Sequence, residues 1–205
     1  MLPKVRLTML RRTMMSDVEE MVSRCLGGDQ NAFRCLVESH QSYAYALAFR
    51  MLADADDARD VVQESFVSVW RNLRHYDGTS SFTTWLYRIV VNRSFDRLRA
   101  RTRERKRLEP LDEAKEERVR AGEAASDDDG KTDLVEQVER FSMKLPAMQR
   151  AVFILRDLQD LSVNETAEVL RISPGSVKTN LCYARRSLRD ILKSAGILRR
   201  GDHDV

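Results

Sequence analysis

The chain has 205 residues, 42% of them hydrophobic, with 35 Lys and Arg set against 32 Asp and Glu. That length allows one or two small domains and excludes a large catalytic core. A formal net charge of +3 argues only weakly for a nucleic-acid partner, so the distribution of charge carries more than its sum.

The opening stretch, MLPKVRLTMLRRTMM, has no continuous apolar region of the secretory type, and residues 1–15 are expected to form a disordered extension. Ser16 with Glu19 has capping-box spacing. It predicts a short helix with Val18, Met21, Val22 and Leu26 on its apolar side, stopped by Gly27-Gly28. Asp29 then caps a longer helix in which Phe33, Leu36, Val37, Ala44, Leu47, Ala48 and Met51 keep helical period. Tyr43 and Tyr45 fall at the margins of that stripe.

A third helix is predicted from Asp54 to about Leu73, where Ala58, Val61, Val62, Ser65, Phe66, Val69, Trp70 and Leu73 recur at spacings of three and four. Its other face concentrates Asp56, Asp57, Asp60, Gln63 and Glu64. Acids in a first helical turn complement the macrodipole, which accounts for Asp56 and Asp57 but not for Asp60, Gln63 and Glu64 beyond it. Such an acidic patch suits a basic protein partner better than nucleic acid.

The loop RHYDGTS, 74–80, carries the turn pair Asp77-Gly78, and Ser81 is placed to cap the next helix. Phe82, Trp85, Leu86, Ile89, Val90 and Leu98 form its stripe, while Arg88, Arg93, Arg97, Arg99, Arg101, Arg103, Arg105, Lys106 and Arg107 make the rest strongly basic. A basic helix is often just a solvated face; at its basic end this one lacks the broad apolar side that a membrane surface would need. Aromatics beside a polar loop and an arginine-rich helix suit single-stranded nucleic acid, with Tyr76 as the exposed aromatic and Phe82, Trp85 and Tyr87 equally readable as core.

From 108 to 132 periodicity fails, and the charged run ending in Asp127, Asp128 and Asp129 reads as a flexible linker between a domain at 16–107 and another at 133–195, with 196–205 as a tail. Asp133 opens a helix containing Leu134, Val135, Val138 and Phe141; Pro146 starts another with Val152, Phe153, Leu155 and Leu158. Two closely spaced helix starts follow. Ser162 and Glu165 make a capping box, Arg171-Ile172 closes the turn, and Ser173-Pro174 begins a second helix. This is a helix-turn-helix pattern. In the second helix Val177, Leu181, Ala184, Leu188, Ile191 and Leu192 define the buried stripe, leaving Gly175, Lys178, Thr179, Cys182, Arg186 and Arg189 outward, with Ser176 and Tyr183 at the edge. A small, polar and basic helix face is what entry into a major groove requires, although an ordinary amphipathic helix with solvated arginines has the same pattern.

With four Pro, eight Gly and no alternating apolar runs, the chain is expected to be all-α. Cys25, Cys35 and Cys182 form no CxxC pair and have no His at zinc-ligand spacing, which disfavours a metal site and a disulfide framework and suits reduced thiols in a cytoplasm. No apolar run approaches the roughly 20 residues of a membrane span. His40, His75 and His203 are scattered, with no phosphate-binding glycine loop and no recognisable nucleophile; no cofactor is called for and any catalysis belongs to a partner.

The segments DADDARDVVQESFVSVWRNL, FTTWLYRIVVNRSFDRLRARTR and LPAMQRAVFILRDLQDLSVNETAEVLRISPGSVKTNLCYARRSLRDIL together resemble the extracytoplasmic-function sigma factors of bacterial RNA polymerase, over about Ser16 to Leu192. The resemblance implies two small helical domains, sigma region 2 and a region 4 helix-turn-helix, on a charged tether. It assigns Asp57, Asp60, Gln63 and Glu64 to a coiled coil of the polymerase largest subunit. It places Tyr76 and Asn92 around a flipped base of the minus-ten element, where lost stacking must be offset, with Arg88, Arg93 and Arg97 on phosphates. It gives Ser176, Lys178, Thr179, Cys182, Tyr183 and Arg186 to the minus-thirty-five element of promoter DNA. It further implies an anti-sigma factor that blocks polymerase docking, and a linker that threads the polymerase's nucleic-acid channels.

Some positions depart from the family pattern: Arg59 interrupts the acidic surface, Thr166 replaces an apolar residue, and Asn180, Cys182 and Tyr183 stand where basic or bulkier residues are frequent. The promoter sequence is therefore open. A polymerase-independent helix-turn-helix regulator and a nucleic-acid-processing enzyme are the competing classes; the acidic helix disfavours the first and the missing acid and His clusters the second.

Overall fold

The computed structural model describes residues 18–108 and 134–197, and every regular element among them is helical. They form two compact units, one holding 18–49 with 54–94 and the other 134–197 with 50–53 and 95–108. The expectations that fall on Ser16, Asp133, the linker and both termini lie outside the described residues.

In the first unit, α1 (18–26) ends where Gly28 adopts φ of 90°, and the Gly27 N–H donates to the Ser23 carbonyl at 3.1 Å. Val22 and Cys25 are buried, whereas Leu26, expected on the apolar side, is exposed. One residue of helical phase separates the two. Helix α2 (Gln30–Leu52) is capped by Asp29, whose Oδ1 accepts from the N–H groups of Asn31 and Ala32 at 2.9 and 3.1 Å. An ion pair with Arg24 at 2.8 Å holds that carboxyl below the usual range. Leu36, Leu47 and Met51 are completely buried; each such side chain contributes about 1.5–3 kcal/mol.

Helix α3 (Ala55–Asn72) starts at Asp54, whose side chain accepts from the N–H groups of Asp56 and Asp57. A short 3-10 turn, Leu73–His75, follows. Helix α4 (Phe82–Leu108) begins at Ser81, whose Oγ accepts from the Thr84 N–H at 3.1 Å. Phe82, Leu86, Val90 and Val91 are buried from α4 and Ala58, Val61, Phe66 and Val69 from α3. Trp70, placed by periodicity in the α3 stripe, is instead 46% exposed and meets Phe33 edge-on, ring centroids 4.7 Å apart.

The second unit contains α5 (Leu134–Ser142), α6 (Ala147–Phe153), a π turn (Ile154–Leu158), α7 (Val163–Leu170) and α8 (Pro174–Ser194). Phe141, Leu145, Phe153, Ala184, Leu188 and Leu192 form one apolar cluster, which seats the C-terminal half of α8 on α5 and α6. The Ser162–Glu165 capping box is present with both reciprocal bonds. Ser173 caps α8, with Pro174 in the first turn. Between α7 and α8 the chain reverses at Arg171, a non-glycine residue in the left-handed region with φ of 53°.

Candidate functional site

Two separate faces emerge, one in each unit. On α3, Asp56, Asp60, Gln63 and Glu64 are exposed. Asp57 is only 6% exposed, which corrects its place in the expected contact surface. The reason is phase: Asp57, Val61 and Ser65 recur every four residues on the buried side of α3. Arg59, the residue that interrupts the acidic patch, is ion-paired with Asp56 three residues away.

Beside this face runs an apolar groove of about 750 Å³ between α2 and α3, lined by Phe33, Val37, Tyr45, Phe66, Val67 and Trp70, with Gln63 and Arg59 also contributing. Sequence reasoning missed the groove, because it assigned Phe33, Val37 and Trp70 to a closed core. Their spacing is the same in either case; only the distance between α2 and α3 decides whether they meet a neighbour or solvent.

The 74–81 loop is more closed than expected. Tyr76 is half-buried, its hydroxyl donates to the Ser80 carbonyl at 2.8 Å, and its ring packs on Trp85 and Phe82 with centroids 5.4 and 5.9 Å away. Burial raises the Tyr76 phenol above its ordinary pKa, which keeps the hydroxyl as a donor. Tyr76 is therefore a post of the loop and not the freely exposed stacking platform that was expected. Beneath it His40, with Nδ1 2.9 Å from the Leu36 carbonyl, meets Phe82 edge-on at 5.1 Å. A carbonyl only accepts, so Nδ1 carries the hydrogen in that contact; burial pushes the imidazole pKa down. At the loop tip Asp77 Oδ1 accepts from the Thr79 N–H at 3.0 Å and hydroxyl at 2.8 Å, lowering the carboxyl's pKa, while Gly78 supplies φ of 73°.

Along α4 the structure brings Asn92 and Arg97 to the surface, with Arg88 and Arg93 half-buried. Arg93 is engaged with Glu64 of α3, Nη1 to Oε2 2.7 Å.

In the second unit, Lys178, Thr179, Cys182, Tyr183 and Arg186 are exposed on α8, Tyr183 at 53%. Ser176 is half-buried, its N–H and hydroxyl both bonded to Ser173 Oγ at the helix start. Asn180 turns back to donate to the Ser176 carbonyl at 2.9 Å, on its own helix. Arg185 was not among the expected residues. It grips Asp157 of the π turn through two parallel bonds, Nε to Oδ2 at 2.9 Å and Nη2 to Oδ1 at 2.6 Å, and the pair raises its pKa. Arg156 reaches the Leu161 carbonyl and closes that turn against α7. The outward residues Lys178, Cys182, Arg186 and Arg189 were legible in the sequence, but Arg185 and the acid 28 positions before it were not.

Thr166 on α7 is fully buried, and its Oγ1 has no hydrogen-bond partner. Among the described residues no group of three or more His, Cys, Asp or Glu is arranged to hold a metal ion, and no helix is long and apolar enough to cross a membrane.

The sigma-70 region 2 family model matches residues 36–104, and the model for sigma-70 region 4 matches 136–188. The ECF RNA polymerase sigma factor SigW of Bacillus subtilis is 31% identical over 186 residues, which are 86% of this chain and 97% of the relative. A solved structure of CnrH in complex with the cytosolic domain of CnrY is similar at a TM-score of 0.64 and 25% identity, covering 87% of this chain and 98% of that one. The sigma factor RpoE of Bartonella quintana, solved in complex with the anti-sigma factor NepR, has the same fold at a TM-score of 0.62 and 22% identity, over 78% of this chain and 96% of that one. Region 2 and region 4 matches in this order, with a relative covered almost end to end, place the chain in the family of ECF RNA polymerase sigma factors.

Proposed function

We propose that this sigma factor docks on core RNA polymerase through Asp60, Gln63 and Glu64 of α3, and that α8 reads the minus-thirty-five element through Lys178, Thr179, Cys182 and Tyr183 with Arg186 on the backbone. The observation that carries the reading is the exposure of both faces on separate units: an acidic one on α3 and a polar, basic one on α8. A helix inserted in the major groove needs exposed side chains of this kind. A basic coiled coil needs the opposite charge, and the groove between α2 and α3 adds apolar area next to it.

Asn92, with the 74–81 loop, forms the minus-ten site, and Arg88, Arg93 and Arg97 hold phosphates there. Tyr76 shapes that site from within, since its hydroxyl is engaged by Ser80. Ser176 serves α8 as part of its cap and stands close to DNA for that reason. The proposed domain limits are 16–107 and 133–195, with 108–132 as the tether. Two small modules on a tether bind promoter DNA weakly until the polymerase fixes their spacing.

An anti-sigma factor is the proposed regulator, on the family resemblance and on the complex with the anti-sigma factor NepR in which RpoE of Bartonella quintana was solved. A membrane-anchored one would hold the chain at the inner membrane face. Specificity without turnover is the chain's own contribution, with RNA synthesis performed by the polymerase.

Reversing the docking charges tests the reading. Asp60→Lys with Glu64→Lys should abolish association with core polymerase while helicity measured by circular dichroism stays unchanged. Retained affinity would move the docking site off α3.

A further inference from the structure

The bond between Glu64 and Arg93 joins two side chains that the proposed function sends to different partners. Glu64 Oε2 and Arg93 Nη1 are 2.7 Å apart across α3 and α4, 29 positions apart in the chain. Glu64 is the open member, its side chain 62% exposed against 34% for Arg93. A partner arriving over α3 therefore meets the carboxylate first. Around the pair, Asp60 is exposed one turn before Glu64, and Asn92 and Arg97 are exposed on α4 beside Arg93. The pair thus sits on the seam between the acidic face and the basic one.

We propose that Glu64 masks Arg93 in the free chain, and that a basic group of the polymerase, by claiming Glu64, releases Arg93 to the DNA backbone. The proposal rests on the docking and phosphate assignments above and adds the coupling between them. One guanidinium cannot grip a carboxylate and a phosphate at full strength together, and one carboxylate divided between two cations binds each less well. Each partner therefore favours the other by the same factor, because linkage between binding free energies is reciprocal. For an exposed pair that factor is about two- to fivefold at low ionic strength, and it shrinks as salt screens the charges.

Two reciprocal shifts test the coupling on the full chain. The measurements are affinity for purified core RNA polymerase and affinity for a fluorescently labelled single-stranded DNA of random sequence, each in low salt. Arg93→Ala should tighten polymerase binding about two- to fivefold while weakening DNA binding by the assembled holoenzyme. A side chain that merely supported the fold would loosen both. Glu64→Gln should tighten DNA binding by the free chain by a similar factor and weaken polymerase binding. Asp60→Asn, which removes a neighbouring negative charge outside the pair, controls for general electrostatics and should tighten free-chain DNA binding less.

If Glu64→Gln weakens polymerase binding and Arg93→Ala weakens holoenzyme DNA binding, but neither tightening is seen, the two assignments stand and the masking is refuted. Equal tightening by Asp60→Asn and Glu64→Gln refutes it as well. If Glu64→Gln leaves polymerase affinity unchanged, the docking assignment itself is overturned, and the masking with it.

Discussion

Thr166→Val should stabilise the second unit. Thr166 is fully exposed to neither water nor a partner: it has no accessible surface, and its Oγ1 makes no hydrogen bond. A buried hydroxyl without a partner costs roughly 1–3 kcal/mol. Valine keeps the branched shape and nearly the same helix propensity, so neither packing nor α7 itself is disturbed. The net gain is about 1 kcal/mol or somewhat more, which for a domain of this size raises Tm by roughly 4–8 °C. Thr166→Ser supplies the opposite sign, because it keeps the hydroxyl and deletes the packed methyl, at a loss of about 1 kcal/mol. The assay is thermal unfolding of the full chain followed by two signals. Trp70 and Trp85, the two tryptophans of the chain, lie in the first unit, so their fluorescence reports that unit while far-ultraviolet circular dichroism reports both. The Val variant should raise the dichroism transition that the tryptophans do not follow; one shared transition should rise as a whole. A Tm equal to or below that of the parent chain would refute the reasoning, since it would mean that the hydroxyl has a partner the geometry does not contain.

Arg186→Ala should weaken promoter binding by holoenzyme across all sequences and reduce the slope of log affinity against log salt by about one, as loss of one phosphate contact does. Lys178→Ala or Thr179→Ala should change which sequences are preferred, read from selected pools; unchanged preference would remove those residues from base contact. For His40, burial sets the folded pKa below its ordinary 6.5, so the unfolded chain takes up the proton first. Stability is then fully present above about pH 6.5 and falls as pH drops below it, by at most about 1.4 kcal/mol per pH unit. Urea unfolding followed by tryptophan fluorescence should show that loss in the parent chain and less of it in His40→Gln; equal pH dependence would place the titration elsewhere.

What was legible in the sequence was local. Ser162 with Glu165, Ser173 with Pro174 and Asp54 before α3 are caps whose donors and acceptors lie within three residues, so spacing alone locates them. The outward face of α8 was also legible, because one strong apolar stripe fixes the phase of the whole helix. Residues at the edge of a stripe were not. Asp57 and Trp70 changed sides because a shift of one position in α3 decides between core and surface, and that depends on where α2 and α4 stand. Tyr76 looked exposed because a loop shows no period; its closure needs Ser80, Phe82 and Trp85 brought back over it. Cross-helix pairs were the least legible. Nothing local ties Glu64 to Arg93 or Asp157 to Arg185, since charged residues abound and the fold selects which of them meet. Family resemblance supplied roles for Glu64 and Arg93 but not their contact, and it supplied nothing for Asp157 and Arg185.

The most direct test of the central claim is transcription by purified bacterial core RNA polymerase, with and without this chain, from a library of random upstream sequences, reading the transcripts by sequencing. The account predicts start sites that appear only with the chain and share a two-part upstream motif, with Lys178 and Thr179 variants changing its upstream half. Transcripts independent of the chain, with the protein shown to be folded and free of inhibitor, would contradict it and favour a regulator that binds DNA without polymerase.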